Sequence, residues 1–324
     1  MKKWFIWLLC GVLAISLTAC GGDKDPSADG SATGNAQRKI GLGSIHTLTM
    51  KDTSNAMLKA TAAAVVLDKN GRIADCKLDE IAFTVTLKDG VAQQVADLTS
   101  KMEKGDSYIP TAEEMGGEGA GTASWEDQVE NFCDFAEGKM AGDLSGLATT
   151  DGKSDKIEGC NLIVTDFIQA VVRACEEAKP ASMEAGNDLE LALTAAKEEG
   201  SSAEPKFDIE MAAVTLDEGE RITGCMTDTL QAKLTMAEGI FSTVSGGMET
   251  KRQMGDGYGM KAASAIKREW YEQADAFDTF AVGKTAAELA AAKLNAEGKT
   301  DAITGCTIAV SGMLKNVVKA ARQD

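Results

Sequence analysis

The chain has 324 residues, a formal charge of −17, 44% apolar and 26% charged residues, and few aromatics at 5%. That acidic balance excludes nucleic acid as a partner, because phosphate binding draws on Lys/Arg clusters. It favours a soluble body without naming a ligand. His46 is the one histidine. Ser-His-Asp and Cys-His catalysis and His-based zinc sites therefore lack their parts unless His46 itself serves. Its setting in Ser44-Ile45-His46-Thr47 reads as incidental. No catalytic set and no metal ligand set is expected.

The chain begins with Lys2 and Lys3, runs almost wholly apolar from Trp4 to Leu17, and then passes Thr18 and Ala19 into Cys20 and Gly21. A basic start, an apolar middle and a small-residue cleavage site make a secretory signal. The apolar run is shorter than the roughly 20 residues of a membrane span. The Leu17-Thr18-Ala19-Cys20 stretch resembles a bacterial lipobox. That resemblance implies cleavage after residue 19, lipidation of Cys20, and an extracytoplasmic body anchored to the membrane. Loss of residues 1–19, which carry two lysines and no acid, leaves 305 residues at −19. Gly, Ser, Asp and Ala dominate the next stretch, so residues 20–40 read as a flexible tether.

The remainder is a tandem duplication. Leu67-Asp68 through Arg72-Ile73, Cys76 and Asp79 recurs at Leu216-Asp217, Arg221-Ile222, Cys225 and Asp228. Thr99-Ser100-Lys101 with Gly105-Asp106-Ser107-Tyr108 recurs at Glu249-Thr250-Lys251 with Gly255-Asp256-Gly257-Tyr258. Trp125 to Gln128, Phe132, Phe135, Gly138 and Lys139 recur at Trp270 to Gln273, Phe277, Phe280, Gly283 and Lys284. Asp155 to Cys160 recurs at Asp301 to Cys306.

Each copy reads as α+β, a small antiparallel sheet packed with helices. Strands are expected at Ala62–Leu67 and Ile81–Leu87, joined through a turn at Asn70-Gly71, with Met211–Leu216 and Leu230–Met236 as their equivalents. Trp270, Ala274, Phe277 and Ala281 recur at helical spacing, and Gly283 ends that helix. Apolar spacing predicts closing helices over Phe167–Cys175 and Met313–Ala321. Ala185–Glu199 reads as a linking helix, followed by a hinge-like loop at Gly200–Pro205. The boundaries are thus 1–19 signal, 20–40 tether, 41–180 first repeat, 181–206 linker and 207–324 second repeat.

Cys10 leaves with the signal and Cys20 takes the lipid, so six cysteines remain. Cys76 and Cys160 match Cys225 and Cys306. Cys133 and Cys175 belong to the first copy alone, facing Asp278 and Ala321 in the second. Paired presence predicts bridges Cys76–Cys160, Cys225–Cys306 and Cys133–Cys175, which an exported protein permits. The alternative is buried, reduced thiols.

Asp301-Ala302-Ile303-Thr304-Gly305-Cys306-Thr307 resembles the Asp-x-x-Ser/Thr-Gly-Ala-Thr motif of FMN-binding domains. Asp68, Gly71 and Ile73, followed by a second strand and a Gly-Asp-x-Tyr segment, extend the likeness loosely over both repeats. The resemblance implies FMN joined as a phosphoester to Thr307 by a flavin transferase, with Asp301, Thr304, Gly305 and Tyr258 around it. Gly305 lets a backbone approach a phosphate, and the helix after about Val310 would offer its free N–H groups. The usual Ala is Cys306. Asn161 replaces the final Thr in the first copy, which therefore cannot carry a phosphoester there. The implied function is flavin-mediated electron transfer with redox partner proteins, by a carrier or binding protein rather than an enzyme. The alternative is a non-redox binding or structural lipoprotein that retains the scaffold without cofactor, Gly-Cys being a strand-to-helix turn.

Overall fold

The fold is built on one local device used twice. Asp68 Oδ1 accepts from the backbone N–H of Asn70 and Arg72 at 2.8 and 2.9 Å, and Asp217 Oδ1 does the same for Gly219 and Arg221 at 2.9 Å each. An Asx turn of this kind closes a tight hairpin. The arginine that follows reaches the end of the Trp-containing helix: Arg72 Nη1 donates to Gly138 O at 2.7 Å, and Arg221 Nη1 to Gly283 O at 2.8 Å. The shared Asp, Arg, Ile and Gly-Lys residues of the duplication thus pin a hairpin to a helix end.

In the computed structural model of the protein, the described residues are 37–88, 91–94, 97–117, 119, 121–197, 205–244 and 248–322. The signal, Cys20, most of the tether and residues 200–204 of the expected hinge lie outside them. The first repeat runs β1 (Lys39–Met50), β2 (Asn55–Leu67), β3 (Ile73–Lys88), β4 (Val91–Gln94), α1 (Lys101–Lys104), α2 (Trp125–Ala136), α3 (Ala141–Ser145), α4 (Thr165–Glu176) and β5 (Lys179–Pro180). The second runs β6 (Asp188–Lys197), β7 (Lys206–Leu216), β8 (Ile222–Ala237), β9 (Ile240–Val244), α5 (Lys251–Met254), α6 (Met260–Ala263), α7 (Trp270–Ala281), α8 (Ala286–Ala290) and α9 (Ser311–Ala320).

Each repeat is an antiparallel sheet packed with helices. The orders are β4-β3-β2-β1-β5 and β6-β7-β8-β9. The strands alternate between two buried faces. Ala60, Ala62, Ala64 and Val66 of β2 face Leu189, Leu193, Phe207, Ile209 and Met211 of the other sheet in one core. Ala63, Val65 and Leu67 point the other way, onto Trp125, Phe132 and Phe167. In the second repeat, Ala212, Val214 and Leu216 do the same with Trp270, Phe277 and Val317. The layers are therefore helix, sheet, sheet, helix, and the two repeats share the core between the sheets. Their arrangement is close to two-fold: β3 packs over β6, and the equivalents β8 and β1 meet likewise.

Three sequence expectations change. The 185–199 segment, read as a linking helix, is strand β6; Asp188 pairs with Leu216 and Lys197 with Phe207. Its Leu/Ala/Glu composition favours a helix, but pairing with β7 and burial of Leu189 and Leu193 decide otherwise. The segment 181–206 assigned to a linker thus holds the first strand of the second repeat. Its counterpart β1 pairs Lys39 with Leu67 at the same register, so Lys39 and Ile40 belong to the sheet and not to the tether. No helix among the described residues is long and apolar enough to cross a membrane.

Candidate functional site

The Thr307 turn is held by one buried glutamine. Gln273, fully buried on α7, accepts from the Thr307 backbone N–H at 2.8 Å and from its hydroxyl at 3.0 Å. Its amide donates to Arg268 O at 3.2 Å and Ser264 Oγ at 3.4 Å. Both ends of the side chain are used, as burial of an amide requires. Gln128 occupies the same place in the first repeat and accepts from the Asn161 N–H at 2.9 Å. Sequence reasoning overlooked this glutamine as a site residue. The signal was available, because Gln128 and Gln273 are matched positions of the duplication.

Thr307, Thr304 and Asp301 are exposed. The side chains of Asp301 and Thr304 make no hydrogen bond among the described residues, so Asp301 does not brace the turn. Gly305 has φ +84°, and a Cβ there would lie 2.4 Å from Arg268 Nη1. Glycine is therefore favoured by backbone sign, and the exposed Arg268 guanidinium lies against it. Arg268 Nη1 donates to Gly305 O at 3.4 Å. Lys251 stands over Tyr258, its ammonium 6.0 Å from that ring centre and 5.5 Å from that of Trp270, and Tyr258 makes no hydrogen bond with the Thr307 turn among the described residues. Lys101 stands over Tyr108 and Trp125 in the same way, at 5.3 and 5.2 Å. There it also pairs with Glu80 and Glu114. Burial alone would lower the Lys101 ammonium, but these two carboxylates outweigh it and hold the group above its ordinary value. Burial pushes the Tyr108 phenol up to about 12.

The helix N-terminus expected to meet a phosphate has another neighbour. α9 begins at Ser311, and a Cβ on Gly312 would lie 2.7 Å from Glu210 Oε1. Burial pushes Glu210 up to about 7 against the Thr229 hydrogen bond and the Lys251 charge. The first turn of α9 thus faces a carboxylate of its own repeat. For a phosphoester the fit rests on Thr307, Gly305 and Arg268: an exposed hydroxyl, an open backbone turn and a cation.

Two clefts lie elsewhere. One of about 400 Å³ is lined by Ile45, Leu144, Ile168 and Arg173 in the first repeat. The other, about 880 Å³, opens between β3, α1 and α2 of the first repeat and β6 and α9 of the second. Cys76 and Cys133 line its wall, and Lys319 salt-bridges Glu103 across it at 2.8 Å.

None of the three expected disulfides is joined in the structure; all six cysteines stand as thiols. The close neighbour of Cys76 is Cys133, not Cys160. A hydrogen bond with Cys133, and then burial, pushes the Cys76 thiol well above its ordinary value. In the second repeat Cys225 Sγ lies 3.8 Å from Asp278 Oδ1, the residue in the place of Cys133. Alignment of the copies paired Cys76 with Cys160 because both recur; the packing of α2 on β3 brings Cys133 to Cys76 instead.

No family model matches the chain, and no solved structure matches it. The chain is similar over a short stretch to chlorophenol reductase of Desulfitobacterium hafniense, 46% identical over 41 residues. That stretch is 13% of this chain and spans 12% of that protein's length.

Proposed function

We propose that this chain is an extracytoplasmic protein anchored to the membrane by lipid on Cys20, whose second repeat carries FMN on Thr307 and passes electrons between redox partner proteins. The observation that carries the reading is the contrast at one matched position. Thr307 presents an exposed hydroxyl fixed by Gln273, whereas the first repeat presents Asn161 on Gln128. A phosphoester needs that oxygen. The relative's name, a reductase, belongs to the same broad setting.

When bound, flavin supplies reversible electron acceptance. The chain's own contribution is positional. Gln273 holds the threonine backbone and hydroxyl in one geometry. Gly305 leaves the turn open, and Arg268 sets a cation beside it, which favours a phosphate. The exposure of the turn suits a flavin transferase that must reach Thr307 and partners that must approach the carried group. A second reading, a scaffold that binds without flavin, draws on the two clefts, neither of which is lined by Asp301, Thr304, Gly305, Thr307 or Tyr258.

The test is co-expression of the full chain with a flavin transferase. Intact mass should rise by one FMN-phosphoryl group, and flavin fluorescence should survive denaturation. Thr307→Ala should abolish the increment with the fold retained. An unmodified wild-type mass, or an increment that persists in Thr307→Ala, overturns the proposal.

A further inference from the structure

The two repeats differ in the space between the long strand, the short helix and the Trp-led helix. In the second repeat the space between β8, α5 and α7 is filled by Arg252. Its guanidinium pairs with Asp275 and Asp278 at 2.6 Å each and donates to Thr227 O, and only 5% of its side chain is exposed. The matched residues of the first repeat are Met102, Glu130 and Cys133. No guanidinium of the first repeat takes that place; Lys319 of α9 reaches the rim at Glu103 instead, and all three matched residues line the cleft of about 880 Å³. Two thiols stand where the second repeat has Cys225 against a carboxylate. They come from different elements, β3 and α2, are 4% and 7% exposed, and open on one cavity.

We propose that Cys76 and Cys133 are a dithiol/disulfide couple that exchanges with a positively charged small disulfide entering this cleft. One thiol, as its thiolate, attacks a sulfur of the incoming disulfide, forming a mixed disulfide and expelling one thiolate, which takes up the released proton. The second thiol, again as its thiolate, attacks the protein sulfur of the mixed disulfide and expels the other thiolate, which is protonated in turn. Two protein thiols and one disulfide become one protein disulfide and two small thiols; the protein is oxidised and the incoming disulfide reduced. The preference for a cation comes from the walls. Asp75, Glu126, Glu130, Asp134, Glu137 and Glu190 line the cleft against Lys77 and Lys319. Burial, with neighbouring acids such as Asp134 beside Glu137, raises Asp75, Glu126, Glu137 and Glu190, so a cation in the cleft relieves their repulsion. The raised Cys76 thiol makes the exchange slow near neutrality and faster as pH rises.

The experiment uses the full chain, reduced and then treated with cystamine, a dication, or with oxidised glutathione, an anion. Peptide mapping without reductant should give one Cys76–Cys133 link, formed several-fold faster with cystamine at low salt, the difference shrinking at high salt. Cys133→Ser should trap one cysteamine on Cys76. Arg252→Met with Asp278→Cys, which carries the first repeat's arrangement into the second, should add a second link at Cys225. A Cys76–Cys160 link, persistence of six thiols through both treatments, or faster reaction with glutathione would overturn the proposal.

Discussion

The rings of Phe83 on β3 and Phe207 on β7 meet with centroids 5.0 Å apart and planes at 52°, joining the first repeat to the second. Neither ring has an aromatic counterpart, since the matched residues are Ala232 and Leu58. One off-axis aromatic pair thus anchors a nearly two-fold interface. Around it, Phe241 N donates to Thr53 O at 3.0 Å and His46 Nδ1 lies 2.8 Å from Met248 O.

A shared central core implies shared unfolding. Phe207→Ala is expected to cost about 3–5 kcal/mol, the usual range for a buried Phe truncation. Trp125 and Trp270 report on the two repeats separately. Denaturant titration of variants that retain one or the other should give coincident midpoints, and Phe207→Ala should move both. Midpoints that separate in the wild-type sequence would show that the sheets do not hold the repeats together.

Arg252 is a buried charge whose partners depend on it. Arg252→Met should destabilise the protein by roughly 3–5 kcal/mol, because Asp278 is left buried without its cation. Burial already pushes Asp278 up to about 6, with Arg252 opposing that rise. A folded-state carboxyl raised above its unfolded value favours the fold at low pH and loses that contribution as pH rises through the folded value. The damage should therefore be greater at pH 7 than at pH 4. Adding Asp278→Cys should recover most of the loss. Equal damage at both pH values would exclude this origin.

His46 should make the fold acid-sensitive. Burial lowers it to about 4, Arg173 adds to the lowering, and the Met248 carbonyl opposes it. Its Nε2 is buried without a hydrogen-bond partner among the described residues. The unfolded chain then binds the proton more tightly, so stability falls as pH drops from 6.5 towards 4, by roughly 3 kcal/mol over the full window. The raised carboxyls Asp79, Asp278 and Glu210 slope the other way, so the comparison must be with His46→Gln. The variant should lose this acid slope and keep theirs. Identical slopes in the two proteins would rule His46 out.

At Gly41 the helix α4 lies close against β1. A Cβ there would lie 1.9 Å from Ala174 O, and one on Gly43 would lie 2.3 Å from Ala174 N. Either Gly→Ala change must push α4 off β1, and a cost of about 1–3 kcal/mol or more is expected. Hydrogen exchange should show α4 amides losing protection before those of α9. Unchanged α4 protection in Gly41→Ala would refute the contact's importance.

The duplication, the turn at Asn70-Gly71, the Trp-led helices and the Gly305 turn were legible in the amino-acid sequence. Each depends on neighbours within a few residues, where side-chain type and backbone sign fix the outcome. Thr307 was named through the resemblance of its turn to an FMN-binding motif; that Gln273 takes its hydroxyl depended on the packing of the Trp-led helix against that turn. The strand at Asp188–Lys197 was not, because its composition favours a helix and only the edge of β7 makes it a strand. The linker reading failed with it. The partner of Cys76 was also decided outside the local sequence. Matching the copies identifies which cysteines recur, but contact between β3 and α2 depends on how the helix layer settles on the sheet. The meeting of the two sheets was equally invisible, since apolar residues on both faces of β2 do not say what covers each face. Chain-local hydrogen bonding determined the turns and helix ends; burial of surfaces distant in sequence decided the strand, the thiol pair and the joined core.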